Sequence, residues 1–595
     1  MLVKGWFRAS PVLAVTAIGL TVSTSLLPAA FALATGALIN ALPAAVRDGL
    51  ASSAGHRLVW WSIVVGGVFA VQQTLGPLRS TVVAGDLGRR VTTGLADRQT
   101  ATMLAPATIA HLEDPSFLDD AARATGVGGI GPWAATTGLV QLWTSRLSGA
   151  ASLLVVARYQ PSHAAVLFAA LVLNVTILRS KYMELVEVMN RRAPSVRRSS
   201  YLRDLAQDPA AAKELRLFGF GGWLLDSFDQ NWLEAMREIW RQRSGMTLAT
   251  LGAVGPLVAA FTLALVSLRS GITAGQMDAG STATFVQALL GAMALASVAR
   301  SDSWIAYGTA TLPAQEHLEH RVRTDASLVL TGATSPRGLP RREIRFEAAA
   351  FAYPGSGARV FEALDLVIPA GKSLGLVGVN GAGKTTLVKL LTRLYDPDGG
   401  RLLVDGIDAK DLDALAWQRR FAVLFQDFVR YPLTLAENIS LGRDLTPAEV
   451  EASARRGGAI GLAEELPGGW ATVLSRQLGG VDLSGGQWQR LALARAFAAA
   501  AGGADILVLD EPTSQLDTRA EAAFYADFLR NTEGLTTIVI SHRLAAVRQA
   551  DSIAVLSDGK VVEQGSHHEL LERGGTYQEL FELQASRFAD GGPDA

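Results

Sequence analysis

The stretch SLGLVGVNGAGKTTLVKLLTRL, Ser373 to Leu394, joins a short apolar run, a glycine-rich turn and a helix-forming run. Its centre, GVNGAGKTT from Gly378 to Thr386, fits G-x-x-x-x-G-K-[ST] between a strand and a helix, the context that pattern requires. Glycines let the backbone wrap a phosphate, and successive N–H groups make an anion nest. Lys384 supplies a point charge for β- and γ-phosphates, and the Thr385 hydroxyl is placed for Mg²⁺.

Around this stretch, from Ile344 onward, short β-branched or apolar runs (SLGLVGV, RFAVLF, ILVLDE, TTIVISH) alternate with helical ones. That alternation predicts a mostly parallel sheet covered by helices. ILVLDEP would be a buried strand ending in two carboxylates. Asp510 is positioned to hold Mg²⁺, and Glu511, pointing elsewhere, to polarise an attacking water. Further on, DLSGGQWQRLALARA, Asp482 to Ala496, sets a serine and two glycines before a strong helix former. Unpaired N–H groups at such a start suit a phosphate, so the chain carries two phosphate-binding elements about a hundred residues apart.

The first half is different. The 595 residues are 49% hydrophobic and 18% charged, with a mean hydropathy of +0.24 and a net charge of −1. That composition points to a membrane class for part of the chain, and the charge gives no basic excess for nucleic acid. With no cysteine, disulfide staples, thiolate metal sites and cysteine nucleophiles are excluded. Apolar runs, charge-free except for Arg146 in the third, lie at Val12–Leu42, Leu58–Leu78, Gly138–Ala157, Ala164–Leu178, Met246–Leu268 and Thr282–Ala299. Each approaches the roughly 20 residues that cross a hydrocarbon core. The first run continues uncharged to Val46, too long for a removable signal, and Trp6 and Phe7 ahead of it read as an interfacial elbow. Twelve Lys/Arg residues lie in Arg179–Arg243 and five in Arg79–Gly129, against few in the alternate loops. Both long loops, the N-terminus and everything after the sixth span are therefore expected in the cytoplasm of a cell-membrane protein. The long loops read as helical extensions, with a bend at Pro194.

The expected division is a transmembrane domain at 1–325, a linker at 326–342, a nucleotide-binding domain at 343–583 and a tail at 584–595. The fold class is a membrane all-α six-helix domain followed by an α/β phosphate-loop domain.

Seven motifs now stand in order: Tyr353, GVNGAGKTT, Gln426 in VLFQD, LSGGQ, ILVLDE, SQLD and His542 in ISHRL. Residues 344–580 resemble the nucleotide-binding domain of ATP-binding cassette (ABC) proteins, and six spans ahead of it resemble the exporter branch, as a half-transporter. The resemblance implies ATP and Mg²⁺ as ligands and ATPase-coupled transport. It implies ATP contacts at Tyr353 (stacking on adenine), Gly378, Asn380, Gly381, Gly383, Lys384, Thr385 and Thr386. Thr385, Gln426 and Asp510 would hold Mg²⁺, while Glu511, His542 and Gln426 would serve hydrolysis. In the family, two cassettes pack head to tail, so Ser484, Gly485, Gly486 and Gln487 would cap the nucleotide of a partner chain, and Asp517 would lie at their contact. The partner is a second copy by default, or a related half-transporter.

HLEDPSFLDDAARA (His111–Ala124) and QDPAAAKELRLFGF (Gln207–Phe220) resemble the family's coupling helices, each with Asp-Pro opening a short helix. Two departures stand out: Gln515 within SQLD, and LSRQLGGVD ahead of the signature, which lacks Gly-Glu-Arg-Gly. Arg146 lies about 18 Å inside the third span at 1.5 Å per residue. It would meet a polar or anionic part of the cargo or pair with neighbouring helices. The function implied is ATP-driven export of a small molecule, peptide, antibiotic or lipid-like cargo by alternating access. An ATP-switched receptor or channel, or an importer on the same fold, is the alternative.

Overall fold

Among the described residues, six helices are long and apolar enough to cross a membrane: Pro11–Asp48, Ser53–Leu104, Pro132–Tyr159, Pro161–Met189, Gly221–Thr273 and Ala279–Ala296. They are the first to sixth spans below. The structure, a computed structural model, describes residues 2–125, 131–209, 211–273, 275, 277–296, 300–325, 328–330, 332–511, 528, 532, 534–542 and 544–589. The chain forms two units, residues 1–102 with 119–319 and residues 103–118 with 320–595.

In the helical unit, the Ser10 hydroxyl caps the first span and Pro11 opens it. A short helix, Leu2–Ala9, precedes the first span, but Trp6 is not an interfacial residue: it is fully buried and its indole N–H donates to Thr136 Oγ1 at 3.1 Å, while Phe7 is exposed. The expected extensions are helical too. The second span continues through a π-helical segment at Thr81–Leu87 into Leu104. The fifth is one 53-residue helix, about 80 Å long at 1.5 Å per residue. The chain breaks where Pro194 sits, in the first turn of Ala193–Gln207. The sixth span tightens into a 3₁₀ turn at Met293–Ala296. The last residues expected in it, 297–299, lie outside the described residues.

Among its described residues the α/β unit holds two sheets. One is antiparallel, in the order β2-β1-β4-β5, from β1 (Glu343–Ala352), β2 (Arg359–Pro369), β4 (Gly399–Val404) and β5 (Ile407–Asp408). The other runs β10-β9-β3-β8-β7-β6, from β3 (Ser373–Gly378), β6 (Phe421–Leu424), β7 (Ile506–Asp510), β8 (Thr536–Ile540), β9 (Ser552–Ser557) and β10 (Lys560–Gly565). Within it β3 pairs in parallel with β8 and β9, and β7 with β6 and β8; only the β9–β10 pair is antiparallel. The parallel core was expected. The antiparallel sheet was not, because β1 and β2 are half-buried strands whose alternation is interrupted by irregular register. Strands β7 and β8 are buried at every position, as strands covered on both faces must be. Four helices recur below: α1 (Lys384–Leu391), α2 (Gly485–Ala501), α3 (Leu544–Val547) and α4 (Thr576–Ala589).

The segment after the sixth span is tied to this unit. Thr334 exchanges backbone hydrogen bonds with Asp411 and Asp413. The Asp405 carboxylate accepts from the N–H groups of Arg341, Arg342 and Glu343 at 2.6, 2.8 and 3.0 Å.

Candidate nucleotide site

Strand β3 ends at Gly378, and the turn that follows reverses into α1. Gly383 caps that helix at φ +103, and a Cβ there would fall 2.8 Å from the Phe361 ring. Both the left-handed backbone and the close ring demand glycine. The lysine of the loop is folded back: Lys384 Nζ donates to the carbonyls of Gly378 and Val379 at 3.0 and 3.1 Å. Burial holds its ammonium below the usual lysine range, against the pull of Glu511 and Asp510.

Strand β7 delivers the carboxylates. Asp510 is buried and accepts from the Thr385 hydroxyl at 3.1 Å. Burial pushes its carboxyl up, and the hydrogen bond from Thr385 works the other way. Glu511 leaves the strand at φ +49, a left-handed conformation that costs a non-glycine residue on the order of 1 kcal/mol. The bend turns its carboxylate sideways. Oε2 accepts from Gln426 Nε2 at 3.0 Å, and Oε1 lies 3.2 Å from His542 Nδ1. Two side chains from beyond two other strands, Gln426 after β6 and His542 after β8, thus converge on the carboxylate at the end of β7.

These groups line one cavity of about 560 Å³, together with Val360, Asn380, Gly381, Gly383 and Thr386. Ten expected residues meet here: Asn380, Gly381, Gly383, Lys384, Thr385, Thr386, Gln426, Asp510, Glu511 and His542. Val360 joins them without any sequence signal. The hydroxyl of Thr385, the amide oxygen of Gln426 and the carboxylate of Asp510 are hard oxygen donors, a set that suits Mg²⁺.

Other expected residues lie apart from the cavity lining. Gly378 serves through its carbonyl. Tyr353 packs edge-on against Phe351 and Tyr395, bonds Thr386 through its hydroxyl at 3.0 Å, and carries Lys389 Nζ over its ring at 4.9 Å. Ser484 is the N-cap of α2: its hydroxyl accepts from Gln487 N–H, and Gln487 Oε1 accepts from Ser484 N–H at 2.8 Å. That capping box is the local reason the helix begins there. None of Ser484, Gly485, Gly486 and Gln487 lines the cavity. Asp517 and Gln515 lie outside the described residues.

The stretch His111–Ala124 is divided between the units: its residues up to Leu118 belong to the α/β unit and the rest to the helical one. It forms two short helices, Ala110–Glu113 and Pro115–Thr125, with the Asp114 carboxylate capping the second. Ile109 N–H donates to the Leu394 carbonyl at 3.3 Å, and Gln418 reaches the Ala107 carbonyl at 2.8 Å. Glu113 pairs with Lys389 Nζ at 3.0 Å and accepts from the Tyr395 hydroxyl. Lys389 stands on α1, one turn beyond Thr385. The second stretch lies in the helical unit, its helix Ala212–Leu217 followed by Phe218, with Leu217 and Phe218 83% and 78% exposed.

In the spans, one guanidinium N–H of Arg146 donates to the Leu295 carbonyl in the 3₁₀ turn of the sixth span. Arg79 was expected at a span's end. It instead bonds the hydroxyls of Thr24 and Thr144 at 3.1 and 2.8 Å, between the first and third spans.

Residues 361–514 match the ABC transporter family. The chain is 35% identical over 385 residues to an ATP-dependent lipid A-core flippase of Chromobacterium violaceum, covering 64% of each. It is 40% identical over 253 residues to a flippase of the same name from Burkholderia orbicola, 42% of each. It is 44% identical over 248 residues to the mitochondrial potassium channel ATP-binding subunit of Xenopus tropicalis, 41% of this chain and 35% of that one. The matches thus span just under two thirds of the first of these relatives and less than half of the others. The structure of a bacterial Atm1-family ABC exporter with ATP bound superposes with a TM-score of 0.76 at 22% identity, covering 96% of this chain and all of that one.

Proposed function

We propose that this chain, whose residues 361–514 are the ATP-binding domain of the ABC transporter family on an ABC exporter fold, is one half of an ATP-driven exporter. One observation carries the reading. The segment 103–118, which continues the second span, is embedded in the nucleotide-binding unit, where Glu113 grips the helix that starts at the phosphate loop. A change at the phosphate site is thereby a change at the foot of a span.

In this reading the loop N–H groups and Lys384 hold the β- and γ-phosphates. Thr385, Gln426 and Asp510 hold Mg²⁺, which when bound neutralises phosphate charge. Glu511 takes the proton of the attacking water, Gln426 orients that water, and His542 faces the terminal phosphate. Tyr353 stacks on the base with the ring face opposite Lys389. The signature residues at the start of α2, apart from their own chain's cavity, complete the site of a second copy, with Asp517 at the contact. Two bound ATPs then select the closed packing, and hydrolysis releases it. The α/β unit is proposed to face the cytoplasm, a reading supported by the cation excess of the long loops.

The cargo proposed is amphipathic and lipid-like, supported by the names of two relatives. Arg146 gives one N–H to Leu295, and its remaining donors are proposed to meet a polar or anionic part of that cargo. The test is transport in proteoliposomes with the α/β units outward. MgATP outside should move a fluorescent anionic lipid probe to the inner leaflet, and Arg146→Leu should lower that rate with basal ATPase retained. The channel reading has its own support in the Xenopus tropicalis relative. An ATP-gated ion conductance with no uphill movement of probe would replace the exporter reading with it.

A second prediction follows from the Glu113–Lys389 pair. Glu113→Lys sets two ammonium groups together at the docked loop. Probe transport should fall about tenfold, since like charges at such distance repel by the order of 1 kcal/mol or more. ATP affinity should change by less than about twofold, because the phosphate groups are untouched. Equal losses of transport and nucleotide affinity would place Glu113 in cassette folding instead of coupling.

A further inference from the structure

We propose that Gln584, on the last helix of the chain, is a positioning residue for His542, so that the C-terminal helix is part of the switch facing the terminal phosphate. The proposal rests on the role given to His542 above.

Helix α4 is anchored at its start. The backbone N–H groups of Thr576 and Tyr577 donate to the Glu563 carboxylate on β10 at 2.7 and 3.0 Å. The Tyr577 ring is fully buried, its hydroxyl 2.8 Å from His567 Nδ1, and Phe581 packs against the same core. Tyr577, Phe581 and Gln584 stand at i, i+4 and i+7, one face of a helix. The face that buries two aromatic rings therefore delivers an amide two turns on.

That amide is used at both ends. Gln584 Oε1 accepts from the N–H of Leu544 at 2.9 Å, and Nε2 donates to the carbonyl of His542. Leu544 opens α3, and the first N–H groups of a helix have no acceptor within it. The Leu544 side chain is itself buried. On the other side of His542, Ser541 N–H donates to the Leu376 carbonyl at 3.3 Å. The backbone that carries His542 is thus fixed by the sheet before it and by Gln584 after it. The imidazole needs that support. Its side chain is 47% exposed on a strand-to-helix turn, and it meets Glu511 at 3.2 Å from the turn alone. A planar group spanning two backbone atoms holds its carrier to one orientation, and small misplacement of such a group slows chemistry many-fold.

The test uses the full-length protein in lipid nanodiscs and measures MgATP turnover. Gln584→Leu should lower kcat about five- to thirtyfold, the worth of one or two lost hydrogen bonds, with KM for ATP within about twofold. Combined with His542→Ala it should add no further loss, because the clamp acts only through the imidazole. Gln584→Glu is the second variant: ionised, it repels the His542 carbonyl; protonated, it reproduces both bonds of the amide. Its kcat relative to the unaltered protein should rise as pH falls from about 6 to 4.5, towards the ordinary glutamate range, a response that a purely structural glutamine would not give. Hydrogen exchange at the Leu544 amide should quicken in Gln584→Leu with β3 and β8 unchanged. A Gln584→Leu kcat equal to the unaltered one, beside a crippled His542→Ala, overturns the clamp alone. An equal loss in the presence and absence of His542 does the same. Full turnover by His542→Ala overturns the role of the histidine and the clamp with it.

Discussion

Glu511→Gln is expected to lower steady-state ATP hydrolysis by about 10²–10⁴-fold, the usual worth of a general base, while ATP still binds. The geometry makes the substitution clean. A glutamine has the same length and can accept from Gln426 Nε2 at one end while its amide donates to a neutral imidazole of His542 at the other. The φ of +49 is a backbone cost that both residues meet alike. What is lost is the capacity to take a proton. Lys384, Thr385 and Asp510 are left in place, so nucleotide affinity should move by less than about tenfold. The closed pair of cassettes should accumulate, visible as trapped ATP and as a compact dimer in cross-linking. Phosphate release above about a tenth of the unaltered rate would remove Glu511 from the role of base, since no positioning group alone is expected to supply so much of the catalysis.

The parts of this site that could be read from sequence are those whose chemistry is local. A strand, a glycine turn and a lysine lie within one short stretch, so GVNGAGKTT announced its own backbone. ILVLDE announced a buried strand that ends in acids, and β7 is that strand. The parts that escaped are long-range. Glu113 and Lys389 are 276 residues apart, and nothing in either neighbourhood names the other. The stretch His111–Ala124 stood out by its Asp-Pro, but the pairing of its Glu113 with Lys389 did not. Gln584 lies in what read as the start of a tail, because an amide on an amphipathic helix gives no signal until the turn it holds is seen. Arg79 misled in the opposite way. A hydropathy scan ends a span at a charge, whereas this charge is accommodated between Thr24 and Thr144 and the helix runs on. Tyr353 was singled out as an aromatic for the base; Lys389 over its ring was not.

The apartness of the signature from its own chain's cavity makes the sharpest demand on a second copy. Gly486 has no heavy atom within 4 Å of where a Cβ would be, so Gly486→Asp should fold normally. If α2 faces another chain's nucleotide, the new carboxylate meets phosphate charge, and turnover should fall at least about a hundredfold with melting temperature unchanged. Lys384→Ala should be equally inactive, for loss of the phosphate-loop charge. Each chain alone is dead, and the informative sample is their mixture, refolded or co-expressed so that subunits assort. If loop and signature in each site come from different chains, a mixed dimer has one site with both lesions and one with neither. Random assortment makes half the dimers mixed, each with one intact site. If sites act independently, turnover should return to roughly a quarter of the unaltered value. Were the signature to serve its own chain's nucleotide, every site would carry a lesion and the mixture would stay dead. A return of activity is therefore specific to a site built from two chains, and its size reports whether one intact site can turn over without the other. If the mixture recovered nothing although mixed dimers were shown to form by a two-tag pull-down, two intact sites would be needed, or the signature would work in its own chain. A linked dimer with both lesions confined to one half then separates those cases: it places one lesion in each site under head-to-tail packing and leaves a whole site intact under the other.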